Sequence, residues 1–293
     1  MKQEKSINEL LEFSIINVDK PAGITSFVCA DKIRNILEAK KVGHTGTLDP
    51  IVTGVLPVLL NRATRLSNYF MKKDKVYIGK MYLHADITEA QLKKEMDAFI
   101  GKIMQKPPVR SRVKRVLRER IVNKFKIIKK EGRTVEFESD VQAGTYIRKL
   151  ISDLGENIGG AHMIELRRTK AGIFNIKDSH SLEEIQEAYD EYKKGKEESL
   201  RKMLIPAEIV KQVVTSLQVK EESVKGLLNG KPLMSPDIIG KIPNSELFSV
   251  FFKERFIGVY NSKMGPEFLE SKSLKITDEA RSNIIAKPEF VMN

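Results

Sequence analysis

The sequence is poor in cysteine and histidine, and it has no long apolar run. Its 293 residues include one cysteine, Cys29, and four scattered histidines. A single cysteine excludes an internal disulfide, and four scattered histidines give no metal-ligand spacing. A helical membrane span needs about 18 consecutive apolar residues, which the chain lacks, and the first residues have no apolar signal core. We therefore expect a metal-free protein located in the cytoplasm.

Acidic residues are also in deficit. The chain has 51 Lys and Arg against 39 Asp and Glu, a net charge of +12. Such an excess favours a polyanionic partner, with nucleic acid ahead of an anionic membrane surface. The length exceeds that of a usual single domain, so a main domain with a smaller companion is expected.

The positive charge is concentrated in one segment. Between Lys102 and Arg133 the sequence has thirteen Lys or Arg and two acids, Glu119 and Glu131. From Pro107 to Arg118 basic and apolar residues alternate, which predicts a strand or ribbon with one cationic face. A solvated surface strand is the alternative. Since no acidic run nearby could neutralise the segment, contact with phosphates is favoured.

Hydrophobic periodicity predicts a mixed α and β chain. Strands are expected at 13–18, 76–83, 121–128 and 134–141, and helices at 26–39, 63–71 and 146–158. Two further helices begin with capping boxes at Thr88 and Ser181. The charged stretch Lys193–Lys202 is expected to be a linker. Short strand-like runs at 211–219 and 247–252 then predict a small β-rich domain, so we divide the chain into 1–205 and 206–293.

One carboxylate occupies a distinctive place. Asp49 ends the glycine-containing segment Gly43-His44-Thr45-Gly46-Thr47-Leu48-Asp49 and is followed by Pro50. Glycines permit tight turns and proline fixes the chain, so Asp49 is a candidate for a positioned nucleophile. A turn in which Asp49 only caps the next element is the alternative.

Several motifs, in order, resemble the TruB family of pseudouridine synthases and, within it, the archaeal branch related to dyskerin. They are Asp19-Lys20-Pro21-Ala22-Gly23, the Gly43–Pro50 segment with Thr53–Val58, Ala63-Thr64-Arg65, Lys75-Val76-Tyr77, Gly144–Leu150 and Ala161–Lys170. The resemblance implies an α+β catalytic domain with a mixed or antiparallel sheet flanked by helices. It also implies a small C-terminal domain that resembles a degenerate, β-barrel-like PUA domain. Residues after Lys263 fit no pattern.

The resemblance implies three catalytic residues. Asp49 would attack the sugar or the base, or abstract a proton, and the sequence does not choose among these routes. Arg148 would keep that carboxylate ionised. Tyr77 would stack on the target base and is a candidate for proton transfer at C5, with an ordinary core tyrosine as the alternative.

The same resemblance implies RNA and base contacts. Because a base cannot react inside a helix, it must be flipped out, and His44 would occupy or support the vacated space. Leu166 would pack under the base, or be plain core, while Lys20 and Pro21 would brace the Asp49 loop. A thumb loop at about 107–120 would grip RNA phosphates. Its candidate contacts are Arg110, Arg112, Lys114 and Arg115.

The implied function is isomerisation of uridine to pseudouridine in tRNA or rRNA, without a cofactor. The favoured setting is a box H/ACA guide particle, in which guide RNA and small partner proteins select the target. A standalone synthase for the T-loop uridine of tRNA is one alternative. A non-catalytic RNA-binding module is another, and the joint presence of Asp49, Tyr77 and Arg148 argues against it.

Overall fold

A computed structural model describes residues 5–107, 114–263 and 284–293. The chain divides into two compact units, Met1–Ala207 and Glu208–Asn293. Each unit has its own hydrophobic core.

The first unit is a mixed sheet covered by helices. Its helices are α1 (Ile7–Glu12), α2 (Ser26–Ile36), α3 (Ser67–Met71), α4 (Glu89–Asp97), α5 (Ile147–Asn157), α6 (Leu182–Lys193) and α7 (Glu198–Met203). Its strands are β1 (Ser14–Lys20), β2 (Val42–His44), β3 (Thr53–Leu60), β4 (Lys75–Leu83), β5 (Gly101–Gln105), β6 (Arg118–Glu131), β7 (Thr134–Val141), β8 (Ala161–Ala171), β9 (Phe174–Asn175) and β10 (Leu204–Pro206). Short 3₁₀ turns cover Asn61–Leu66 and Ile176–Asp178.

Within the described residues these ten strands form one sheet in the order β10-β1-β3-β8-β4-β7-β6-β5, with β2 added to β3 and β9 to β8. β3 and β8 run parallel, and the other pairs are antiparallel. β4 and β7 alternate buried and more exposed positions, as expected for strands with one face on the core. One core joins α4 and α5 to β4, β6, β7 and β8. A second core joins α1, α2, α6 and α7 to β1 and β3.

The second unit is a small β structure. It opens with a 3₁₀ turn at Ala207–Gln212 that begins in the first unit's last residue. Its elements are β11 (Thr215–Val219), α8 (Val224–Leu228), β12 (Leu233–Met234), β13 (Ile238–Ile239), β14 (Leu247–Phe252), β15 (Arg255–Ser262) and β16 (Ile284–Val291), with 3₁₀ turns at Glu221–Ser223 and Ser235–Asp237. The described strands form a barrel-like sheet in the order β12-β16-β15-β14-β11-β13. The predicted fold class, an α+β unit followed by a small β-barrel-like unit, is confirmed.

Local predictions were correct where side chains fix an element's start. Thr88 and Ser181 form the predicted capping boxes, each hydroxyl accepting the N–H of the third helical residue. Other predictions were wrong. The expected linker contains α7, which buries Leu200 completely, and the expected strand at 211–219 begins only at Thr215. The tail beyond Lys263, for which no pattern was found, contains β16.

The predicted basic ribbon is only partly described. Residues 114–117 have no regular structure, and β6 begins at Arg118, so the last part of the predicted thumb loop is strand. Residues 108–113 lie outside the described ones.

Candidate active site

Asp49 lies on a loop that follows β2 and is fastened to its surroundings by side chains. The Ser26 hydroxyl, at the start of α2, accepts the Leu48 N–H at 2.7 Å and lies 3.1 Å from the Leu48 carbonyl, to which it donates. The Lys20 ammonium donates to the carbonyls of Pro21, Ile24 and Pro50 at 2.7, 2.8 and 3.2 Å. Hydrogen bonds on both sides of Asp49 therefore fix its backbone.

Lys20 and Pro21 lie beside this loop, and the family resemblance implies that they act as a brace for it. Lys20 is fully buried, and burial lowers the pKa of its ammonium. Pro21 is exposed and contributes its carbonyl. The Gly23 N–H also donates to the Pro50 carbonyl at 3.0 Å, so the two turns are tied together.

Arg148 reaches Asp49 from α5. Its guanidinium donates to the Asp49 carboxylate, and the two side chains are 53% and 52% exposed. The structure thus brings the predicted nucleophile and the predicted cation together in direct contact. Their exposure means that the chain by itself leaves this ion pair open to solvent, accessible to a substrate.

Tyr77 and Leu166 lie beside the loop on adjacent central strands. Tyr77 on β4 pairs with Arg168 of β8, and both Tyr77 and Leu166 are 8% exposed. They share a hydrophobic cluster with Leu48, the residue before Asp49. An apolar and aromatic surface next to the carboxylate suits a flat base, although the same contacts also describe a packed core.

His44 ends β2 and is half-buried. Its Nδ1 accepts the Gly46 N–H at 3.4 Å, and its carbonyl accepts the Ser67 hydroxyl at 3.0 Å. Burial lowers the pKa of the imidazole, and the positive charge of Arg168 lowers it further. A neutral ring with Nε2 carrying the proton is therefore expected at neutral pH.

Arg168 is a residue that the sequence analysis quoted in a motif but gave no role. It is 1% exposed, and its guanidinium donates to the carbonyls of Val55 at 2.7 Å and Gly46 at 3.0 Å. Gly54 has φ +101°, and a Cβ there would lie 2.2 Å from the Arg168 carbonyl, so only glycine allows β3 and β8 to approach this closely. Arg168 thus connects the loop before Asp49 to β3.

Lys75 is a third buried cation in this place. It is 5% exposed and donates to the carbonyls of Met71 and Lys73. Burial, with the nearby charge of Arg168, lowers its pKa to about 8. A Cβ at Gly46 would lie 3.8 Å from the Lys75 Cε, so this lysine, the first residue of β4, is buried next to the loop rather than exposed on the surface.

The thumb-loop candidates are separate from this group. Arg110 and Arg112 lie outside the described residues. Lys114 and Arg115 are exposed between β5 and β6, and the Arg115 Nε donates to the Pro107 carbonyl at 3.2 Å. Within the described part of the chain, no hydrogen bond or ion pair joins them to Asp49.

The described residues lack two features that would indicate other functions. They contain no group of three or more His, Cys, Asp or Glu arranged to hold a metal ion. None of their helices combines the length and the apolar character needed to cross a membrane.

Comparison with known proteins identifies the class of this fold and site. Residues 34–90 match the N-terminal domain of the TruB family pseudouridylate synthases, and residues 148–211 match the C-terminal domain of tRNA pseudouridylate synthase B. The first segment contains His44, Asp49 and Tyr77, and the second begins at Arg148. The class is therefore that of pseudouridine synthases, which are isomerases.

Relatives place the chain within that class. A probable tRNA pseudouridine synthase B of Korarchaeum cryptofilum is 43% identical over 79% of this chain and 72% of its own length. One from Methanopyrus kandleri is 39% identical over 81% of this chain and 71% of its own. The chain belongs to the TruB family of pseudouridine synthases.

Solved structures agree over nearly the whole chain. A Cbf5-Nop10-Gar1 complex matches with a TM-score of 0.87 and 36% identity, covering 98% of this chain and 87% of that one. The archaeal box H/ACA Nop10-Cbf5 complex matches with a TM-score of 0.85 and 33% identity, covering 98% and 88%.

Proposed function

We propose that this chain isomerises uridine to pseudouridine in tRNA or rRNA as the catalytic subunit of a box H/ACA guide particle. The observation that carries the proposal is the Asp49–Arg148 ion pair, held on a braced loop beside Tyr77 and Leu166. The similar structures support the particle, since one is an H/ACA particle bound to a substrate RNA that contains 2'-deoxyuridine. Nop10-like and Gar1-like small proteins, guide RNA and target RNA are then the partners, in the cytoplasm.

The reaction breaks the C1′–N1 bond, turns the base and forms a C1′–C5 bond. No atom is gained or lost, because C5 loses a proton when it bonds to C1′ and N1 gains a proton after its bond to C1′ is broken. Asp49 attacks the sugar or the base, or removes a proton, while Arg148 stabilises its negative charge. Tyr77 contacts the base and transfers the C5 proton, and Leu166 packs under the ring. His44, neutral and at the end of β2, supports the space from which the base is flipped.

Lys20 and Pro21 position the loop through the carbonyl contacts described above. Arg110, Arg112, Lys114 and Arg115 would hold RNA phosphates. We assign residues 1–205 to catalysis and 206–293 to a PUA-like RNA-binding domain.

A second function is favoured by the names of the relatives. Archaeal proteins 43% and 41% identical to this chain are described as probable tRNA pseudouridine synthase B. A standalone reaction on the T-loop uridine of tRNA is therefore the second candidate.

Pseudouridine formation tests both candidates. We would measure it on unmodified tRNA with the chain alone, and on a target RNA with guide RNA and partner proteins. Asp49→Ala is compared in each case with Asp86→Ala, which removes an exposed carboxylate paired with Arg133.

Product that requires the assembled particle supports the guided enzyme, and product on tRNA alone supports the standalone enzyme. In both cases Asp49→Ala should abolish turnover, by roughly 10⁴-fold or more, as loss of a nucleophile does elsewhere. Asp86→Ala should retain it. Binding without product in every mixture would instead indicate a non-catalytic RNA-binding protein.

A further inference from the structure

The surface beside His44 carries a second concentration of positive charge. Between Ala39 and Lys73 the sequence has six Lys or Arg, and its only acid is Asp49. Four of these cations are exposed, whereas Arg62 and Lys73 are half-buried. We call the following residues the basic shelf: Lys40, Lys41, Arg62, Arg65 and Lys72.

Backbone and side-chain contacts hold the shelf against the active-site loop. The Asn61 N–H donates to the Lys41 carbonyl at 2.7 Å, and the Lys41 N–H donates to the Asn61 Oδ1 at 3.1 Å. The 3₁₀ turn that carries Arg62 and Arg65 therefore begins beside Lys41. At its far end, the Ser67 hydroxyl donates to the His44 carbonyl at 3.0 Å.

The sheet order places the shelf and the thumb loop on opposite sides of the site. Tyr77 and Leu166 lie on β4 and β8 at the centre of the sheet. The shelf adjoins β2 on one side, while Lys114 and Arg115 lie between β5 and β6 on the other. β2 pairs with the same edge of β3 as β8 does, so the path from the end of β3 runs β3-β8-β4-β7-β6-β5 and contains five strand spacings, or roughly 24 Å.

We propose that the basic shelf binds the phosphates of the RNA strand that flanks the target nucleotide on the His44 side. RNA held there and at the thumb loop is anchored on both sides of Asp49, which orients the nucleotide between the two anchors. Lys and Arg side chains serve this purpose because phosphate contacts set position without reading sequence. The inference rests on the proposed function and adds the surface that positions its substrate.

Salt dependence of RNA binding tests the shelf. We would replace Lys41, Arg65 and Lys72 together by glutamine in the full chain and measure binding of a labelled, unmodified tRNA transcript between 50 and 300 mM salt (about the range used for such titrations). The matched control replaces Lys194, Lys196 and Lys202, three exposed lysines around α7, by glutamine. Both variants lose three positive charges.

The shelf variant should bind RNA more weakly. The slope of log binding constant against log salt concentration should become shallower by roughly one for each phosphate contact removed, about three in all. The control should keep the wild-type slope. In turnover, the shelf variant should raise KM while kcat at saturating RNA stays the same. Equal slopes for the shelf variant and the control would overturn the proposal.

A second measurement needs no variant. RNA bound to the wild-type chain should protect Lys41 and Lys72 from acetylation and leave Lys194 and Lys196 reactive, and equal protection of all four would contradict the shelf. The two proposals fail separately. If the proposed function is wrong, no Asp49-dependent pseudouridine forms, but the shelf variant and the control still differ in the salt dependence of RNA binding. If the shelf proposal is wrong, pseudouridine forms, but the two variants show the same salt dependence.

Discussion

Two groups of cations in this chain contrast sharply. Beneath the Asp49 loop, Lys20, Lys75 and Arg168 are 0%, 5% and 1% exposed, and the hydrogen bonds described for them go to backbone carbonyls. Such cations fix the chain segments whose oxygens they bind. Removing one leaves buried carbonyls without a donor.

On the outer face of the β6–β7 hairpin, cations of the same types pair with acids. Lys124 and Lys126 both contact the Glu138 carboxylate, at 2.9 and 3.1 Å. Arg133 forms a two-bond pair with Asp86. Because these pairs are exposed, water and salt screen them.

Positive charge therefore serves different purposes in these two places. One group holds the geometry of the site, and the other belongs to a solvated sheet face. The net charge of +12 is a sum over the whole chain and does not distinguish these two groups.

Among changes to these two groups of cations and their partners, the largest effect is expected for Arg168→Met. The carbonyls of Gly46 and Val55 lose a charged donor, which should lower the free energy of unfolding by about 2–4 kcal/mol. The Asp49 loop shifts as a result, and kcat should fall roughly 100-fold. Urea unfolding and single-turnover kinetics measure the two effects, with Arg133→Met as the control that leaves kcat unchanged.

Arg168→Lys separates charge from geometry. A lysine keeps the positive charge near His44 but cannot span two carbonyls with a planar fork. NMR titration should therefore show the pKa of His44 still lowered in Arg168→Lys and closer to its ordinary value in Arg168→Met. Unchanged kcat in both variants would show that Arg168 does not position the loop.

The lowered pKa of Lys75 makes the free energy of unfolding depend on pH. Its pKa of about 8 in the folded chain lies below that of an unfolded lysine, near 10.5. Between these values the unfolded chain binds more protons, so stability rises with pH by up to about 1.4 kcal/mol per pH unit. Below pH 8 this contribution does not change.

Denaturation of the wild type and Lys75→Met at pH 7, 8, 9 and 10 measures this effect as the difference between the two chains. Lys124→Met is the control, because the bond to Glu138 raises the pKa of Lys124 above the unfolded value near 10.5, so the difference between this variant and the wild type should not change over this pH range. A wild-type to Lys75→Met difference that is the same at all four pH values would contradict the prediction.

The smallest effect is expected for Glu138→Gln. The hairpin keeps its strand pairing and loses two exposed ion pairs, so the unfolding midpoint and kcat should be almost unchanged in 150 mM salt (about the physiological strength). The same variant studied at low salt should be slightly less stable than the wild type. A large loss of activity would mean that the outer face takes part in catalysis.

Some contacts of the candidate site could be anticipated from motifs in the sequence. The contact between Asp49 and Arg148 was expected from the family resemblance, and so was the bracing position of Lys20. Side-chain chemistry at helix starts is local, which explains why the capping boxes at Thr88 and Ser181 were predicted correctly.

The role of Arg168 could not be predicted in the same way. Arg167 and Arg168 are consecutive on β8, and a sequence gives no reason to bury one of them. Arg167 pairs with Asp19 at 2.5 Å and is 43% exposed, while Arg168 is buried. Strand alternation and register to β4 decide which residue faces inward, and both depend on distant pairing. Similarly, α7 is short and highly charged, and it depends on burial of Leu200.

The Ser26 hydroxyl accepts a hydrogen bond from the Leu48 N–H and donates one to the Leu48 carbonyl. It thus satisfies both backbone groups of Leu48, as a paired strand does in a sheet. The first turn of α2 is therefore joined to the loop that carries Asp49 at both the N–H and the carbonyl of Leu48. A change in the tilt of α2 would therefore displace the backbone of Leu48 and, with it, the neighbouring Asp49. A partner bound to α2 alone could in this way change the position of the carboxylate.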